Sequence, residues 1–216
     1  MKLENRSFAF FTMLLLGTAA FLNGCATTGM DRSVKTSNSI EEVDSDIRKI
    51  SVQIDVTATA LDALVKAGQP DLKKSFGAYS GAVANLESQG KLVIKHMEEM
   101  KLRSTEYFAE WEKQGDAYTN PRIRELSEER RKKLAEMYAQ VPMAGSGLKL
   151  SYLAYLTDLK EIQKYLSNDL TPKGIEAVTP VAEKTVQDLD SLRASLKPVI
   201  TALEDIKAEL YGGGGK

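Results

Sequence analysis

Apolar residues recur along most of this chain at alternating steps of three and four. In the first such run Ile40, Val43, Ile47, Ile50, Ile54, Thr57, Leu61 and Leu64 keep the step without a slip, and only Thr57 is polar. Residues so spaced fall on one stripe of an α-helix, so the run predicts a helix that packs lengthwise against a neighbour. Ser39 with Glu42 three residues on reads as a capping box at its start, and Gly68 and Pro70 end it. The second run passes through Leu72, Phe76, Tyr79, Val83, Leu86, Gly90, Val93, Met97, Met100, Ser104, Tyr107 and Trp111. Gly115 and "TNP", with Pro121 suited to a first helical turn, divide it from the third.

The third run holds Ile123, Leu126, Arg130, Leu134, Met137, Val141, Ala144, Leu148, Tyr152, Tyr155, Leu159, Ile162 and Leu166. At two places, Leu126–Arg130–Leu134 and Ala144–Leu148–Tyr152, two steps of four follow one another, which straightens a supercoil locally. Pro142 in "VPMAGSG" lacks a backbone donor and predicts a kink or an opening there. After "SNDLTPKG" the fourth run is the cleanest: Ile175, Val178, Ala182, Thr185, Leu189, Leu192, Leu196, Val199, Leu203, Ile206 and Leu210. Pro180 and Pro198 lie inside it and predict bends. Strand alternation is absent. The expected fold is therefore all-α: an elongated antiparallel four-helix bundle or coiled coil over residues 40–210, with 211–216 a disordered tail. Self-associating hairpins satisfy the same pattern, so a homo-oligomer stays open.

The predicted helices span roughly 28, 45, 46 and 38 residues, or about 42, 68, 69 and 57 Å at 1.5 Å per residue. Helix 2 then outruns the start of helix 1 by about 25 Å. The hairpin tip, residues 107–126, is expected to project from the pole where the chain enters the bundle. It carries Tyr107, Phe108, Trp111, Tyr118, Arg122 and Arg124. Aromatic rings beside arginines suit a lipid headgroup region or a protein contact, although Trp111 and Tyr107 also stand on the seam, where plain packing accounts for them.

Ahead of the bundle the character changes. Lys2 and Arg6 against Glu4 make a weakly basic start, and residues 8–22, "FAFFTMLLLGTAAFL", carry no charge. Fifteen apolar residues are short for a membrane span and right for a secretory signal. Leu22, Asn23, Gly24 and Cys25 resemble the lipobox of bacterial lipoproteins, with Asn23 a departure from the usual small residue. The resemblance implies residues 1–24 cleaved as a signal peptide, diacylglycerol on the Cys25 sulfur and an acylated new amino terminus. Several acyl chains hold a protein firmly where one does not. A lone thiol in an oxidising compartment is otherwise a liability. Ala26, where an Asp would retain a lipoprotein at the inner membrane, favours the outer membrane and a periplasm-facing domain. Residues 25–39 are then the lipidated cysteine and a flexible polar tether reaching at most about 45–50 Å.

Removing 24 residues leaves 192, with 27 Lys and Arg against 29 Asp and Glu, a net charge of −2. That balance gives no drive toward nucleic acid. Catalytic chemistry is not legible. His96 is the only histidine and flanks Met97 as a half-buried packing residue. Glu98, Glu99, Asp158 and Glu161 stand on solvated helix faces, where no pocket shifts a pKa. "GGGGK" has no helix behind it to hold a phosphate. No metal site and no cofactor is expected, and an enzyme is the remote reading. The charge run "RIRELSEERRKKLAE" pairs Glu128 with Lys132 and Glu129 with Lys133, as a solvated face does.

The stretch "YFAEWEKQGDAYTNPRIRELSEERRKKLAEMYA" resembles a family of small bacterial lipoproteins known only as a domain of unknown function. The family has an aromatic-x-Glu-Trp-Glu segment, a Ser/Asn-rich turn and then a helix with spaced Arg and Ser. Here those are Phe108, Glu110, Trp111, Glu112, Asn120, Arg124, Ser127 and Arg130. "YLSNDLTPKGI" echoes its Leu-x-Asn-x-Leu turn. The resemblance implies a long helical secreted protein and transfers no activity. The expected role is a non-enzymatic spacer or interaction module in the cell envelope, held to the membrane by its lipid and meeting an envelope protein. The alternative is a binding or chaperone-like module that takes an apolar ligand where Pro142–Gly147 opens the bundle. There Tyr152, Leu153, Tyr155 and Leu156 widen the apolar face, unless a neighbouring helix covers them.

Overall fold

A computed structural model describes residues 29–66, 68 and 70–212, and every regular element among them is an α-helix. The helices are α1 (Gly29–Val65), α2 (Leu72–Gly115), α3 (Pro121–Asn168), α4 (Pro172–Gln187) and α5 (Leu189–Tyr211). α4 and α5 meet at Asp188, the boundary residue of both, and together form a fourth arm. α1 and α3 each pack against α2 on one side and the fourth arm on the other. Side-chain bonds across the arms give the register. Tyr79 donates to the Leu159 carbonyl at 2.6 Å, and Tyr152 to the Leu86 carbonyl at 3.1 Å. Arg193 pairs with Asp55 at 2.6 Å, and Lys207 with Glu41 at 2.9 Å. In each direction one number rises as the other falls, so the arms run up, down, up and down. An all-α antiparallel bundle is what the periodicity called for.

The seam of three-and-four steps is the core. All eight residues of the first run are buried, Thr57 included, as is the fourth run from Ile175 to Ile206. Thr57 is tolerated because its hydroxyl donates to the Gln53 carbonyl at 2.7 Å, which leaves no orphaned donor. The Gln53 amide reaches the Ala82 carbonyl of α2 at 3.1 Å. His96 is half-buried between α1 and α2, its Nδ1 2.6 Å from an Asp46 oxygen. Gly90 is a socket: a Cβ there would stand 2.1 Å from the Cζ and Oη of Tyr152.

Several expectations need correction. α1 begins at Gly29, ten residues before the expected Ser39 cap, so residues 29–39 of the expected tether are helix. Ser39 is buried, and its hydroxyl donates to the Thr36 carbonyl at 2.6 Å instead of capping. With α1 longer, α2 exceeds it by only seven residues, about 10 Å and not 25 Å. α3 runs through Pro142 without a break. Its seam is Tyr138 and Gly145 where Met137 and Ala144 were expected. Gly145 leaves room for Met97, whose Cε would lie 1.7 Å from an added Cβ. The fourth arm is interrupted at Asp188, while Pro180 and Pro198 sit within helices. Tyr152, Tyr155 and Leu156 are covered by neighbours, and Leu153 is exposed. The tail begins after Tyr211, which is still helical. The signal segment 1–24, Leu22, Asn23, Gly24 and Cys25, and residues 213–216 lie outside the described residues.

Candidate functional site

The α2–α3 hairpin is built from local rules. Asn120 caps α3, its side chain accepting from the backbone N–H of Arg122 at 2.9 Å and of Ile123 at 3.4 Å, with Pro121 as the first helical residue. Arg124 donates to the Tyr118 carbonyl at 2.7 Å and so ties the turn back to the helix. Two cross-links close the hairpin: Trp111 Nε1 donates to Ser127 Oγ at 2.8 Å, and Arg131 pairs with Glu112 at 2.9 Å. Arg130 bonds Glu209 near the end of α5, with Lys133 on the other carboxylate oxygen at 2.6 Å. Nine residues of α3 precede Arg130, so the hairpin extends past that pairing by about 13 Å.

The six expected tip residues divide into two groups. Tyr107, Phe108 and Trp111 form an aromatic cluster with Tyr138, ring centroids 5.1–6.3 Å apart. Phe108 is buried, with Tyr138 edge-on at 5.4 Å; Tyr107 and Trp111 are half-buried. These rings hold the hairpin together. Tyr118, Arg122 and Arg124 are exposed, and Arg122 pairs locally with Glu125 at 2.6 Å. Arg131, which the sequence reading did not single out, and Glu112, noted there only through the family resemblance, are the hairpin's charged lock. Ser127, noticed only through the family resemblance, accepts from the tryptophan. Ile123 and Leu126, expected on the seam, are each 48% exposed, because among the described residues the fourth arm does not reach that far.

Beside Trp111 lies a notch of about 130 Å³, lined also by Glu112, Asp116, Arg124, Ser127 and Arg131. Glu128 borders it and is held below the usual carboxylate range by its hydrogen bond from Lys132 at 2.5 Å. Two charge pairs are matched here, Arg131 with Glu112 and Lys132 with Glu128. A hollow of about 320 Å³ follows α2 and α3 at Met97, Pro142, Gly145 and Leu150. A larger one, about 890 Å³, lies at the opposite pole between α1 and α4, with Val65, Leu72 and Ile175 below and Asp62, Glu176 and Glu183 at its edge. Among the described residues no group of three or more His, Cys, Asp or Glu stands close enough to hold a metal ion, and no helix among them is long and apolar enough to cross a membrane.

A family model described as "Protein of unknown function (DUF2959)" matches residues 27–209, nearly the whole helical domain. No curated protein and no solved structure matches this chain.

Proposed function

We propose, on the premise that the chain belongs to the DUF2959 family of proteins of unknown function, that it is a non-enzymatic, lipid-anchored strut of the bacterial envelope. In this reading Cys25 carries the acyl chains, and the bundle faces the periplasm from the outer membrane as a spacer or an adaptor for another envelope protein. One observation carries it: α1 begins at Gly29, only four residues beyond Cys25. Four residues reach about 14 Å at most, so an acylated Cys25 would hold the hairpin pole close to the bilayer. The bundle then stands off the membrane by the length of α2, about 66 Å for 44 residues.

The interlocked arms support a mechanical role. Ion pairs and buried tyrosine bonds fix each arm to its neighbours, and core packing along the whole length resists bending. The test is mass spectrometry of the amino-terminal peptide from native envelopes, together with crosslinking and capture. Acyl mass on Cys25 and one recurrent envelope partner are expected. An unmodified Cys25 in a freely soluble protein would overturn the proposal.

A further inference from the structure

Fifteen large apolar side chains are exposed among the described residues, and their distribution is uneven. Met30 and Val34 stand at the start of α1, Tyr118 in the hairpin turn, Ile123 and Leu126 at the start of α3 and Tyr211 at the end of α5. The antiparallel register puts all six at one pole. Thr36 and Tyr107 line the same hollow, which sets the start of α1 level with the end of α2, and Glu209 meets Arg130 and Lys133 beside them. At the opposite pole, among the described residues of 62–75 and 165–183, two are of this kind, Tyr165 and Val181.

Burial inside the bundle does not explain these side chains. Met30 is 77% exposed although it lies one residue into a helix whose later seam is sealed. Ile123 and Leu126, three apart, share one face of α3, as do Met30 and Val34, four apart, on α1. Apolar side chains gathered on one end of a folded domain mark a contact surface. Arg122 and Arg124 stand among them, as they do where a protein meets lipid headgroups.

The chain that leaves this pole says what covers it. In the lipid-anchored reading Cys25 carries the acyl chains, and the helix begins at Gly29, four residues on. We infer that the hairpin pole is seated on the bilayer, with Ile123, Leu126, Tyr118 and Met30 at the headgroup boundary, so that the rod stands upright on a broad foot. This rests on the lipid-anchored reading above and adds to it a second contact, made by the folded domain. Two contacts fix an orientation where a single flexible tether fixes none.

The experiment uses the full acylated chain in vesicles of phosphatidylethanolamine and phosphatidylglycerol. The environment-sensitive dye NBD is attached in turn at Ile123→Cys, Leu126→Cys and, at the far pole, Lys66→Cys. Blue-shifted emission and quenching by a nitroxide headgroup lipid are expected at 123 and 126 and not at 66. Protein that floats with the vesicles while 123 and 126 stay unquenched would overturn the seat and leave the anchor standing. Shielding of 123 that is the same without vesicles means that protein covers the site, and also overturns the inference. Acylated protein that does not float with the vesicles overturns both the seat and the anchor.

Discussion

Gly90 offers the sharpest test of how α2 and α3 interlock. In an isolated helix Gly→Ala stabilises by about 1 kcal/mol, because alanine loses less backbone freedom on folding. Here the new methyl would stand 2.1 Å from Tyr152 Cζ and Oη and 2.6 Å from Cε1, where carbon atoms need about 3.5 Å. The ring must retreat by more than 1 Å, yet it is buried and its hydroxyl is fixed to the Leu86 carbonyl at 3.1 Å. Overpacking of this kind costs about 1–3 kcal/mol and the strained hydrogen bond about 1 more. Gly90→Ala should therefore lose about 2 kcal/mol net, or about 4–8 °C in Tm for a chain of this size. Urea denaturation followed by helical circular dichroism measures it, with the slope against urea unchanged. Gly145→Ala is the control: its neighbour is the flexible end of Met97, beside a hollow of about 320 Å³, so stability should stay within about 1 kcal/mol of wild type. Shortening the neighbour with Tyr152→Leu should abolish the cost of Gly90→Ala, a coupling that a double-mutant cycle reads directly. If Gly90→Ala matches or exceeds wild-type stability, helix propensity has won and the described α2–α3 register is wrong.

Other outcomes follow from single contacts. Burial would raise the Asp44 carboxyl, but the hydrogen bonds and charges of Arg48 and Lys207 outweigh it and hold the group below the usual carboxylate range. A depressed folded value means that Asp44 stabilises fully above about pH 4 and that this stability is lost as the pH falls through the lowered value. Asp44→Asn should cost about 2 kcal/mol at pH 7 and flatten the acid limb of a stability–pH profile. Gly174→Ala would place a methyl 2.2 Å from the Asp169 carbonyl oxygen, a backbone atom that cannot swing aside. It should lose about 1–3 kcal/mol by the same urea assay and loosen the Asn168–Pro172 turn. Ser127→Ala removes the acceptor of the Trp111 N–H, and should cost about 1 kcal/mol and speed amide exchange in the hairpin while the far pole is unchanged.

The bundle was legible because its core is written in apolar steps that a helix turns into a stripe, and the first and fourth runs convert to buried residues nearly one for one. What escaped the reading has physical causes. Residues 29–39 are polar, yet their helix is held by tertiary cover: Thr36 and Ser39 are buried, and Arg32 and Thr36 line a hollow with Arg103 and Tyr107. A rule that looks for grease cannot see a seam made of hydroxyls. In α3, Pro142 did not break the helix, because a bundle supplies the packing that propensity withholds. Tyr138 and Gly145 took the seam since a ring and a socket fit the facing Phe108 and Met97. At the hairpin the aromatic cluster was visible as composition, but the split between rings that lock the turn and residues exposed to solvent follows from where, among the described residues, the fourth arm stops.

One measurement bears on the whole arrangement. Protein labelled with light and with heavy nitrogen is mixed in equal parts, treated with a zero-length carbodiimide and digested for mass spectrometry. The four-arm bundle predicts crosslinks from Lys207 to Glu41 or Asp44, from Lys160 to Glu87 and from Lys133 to Glu209, joined at 2.9 or 2.8, 3.0 and 2.6 Å, all within one chain. Mixed-isotope links at these pairs, or their absence in a helical protein, would show that the arms close between chains or in another order, and would contradict the account.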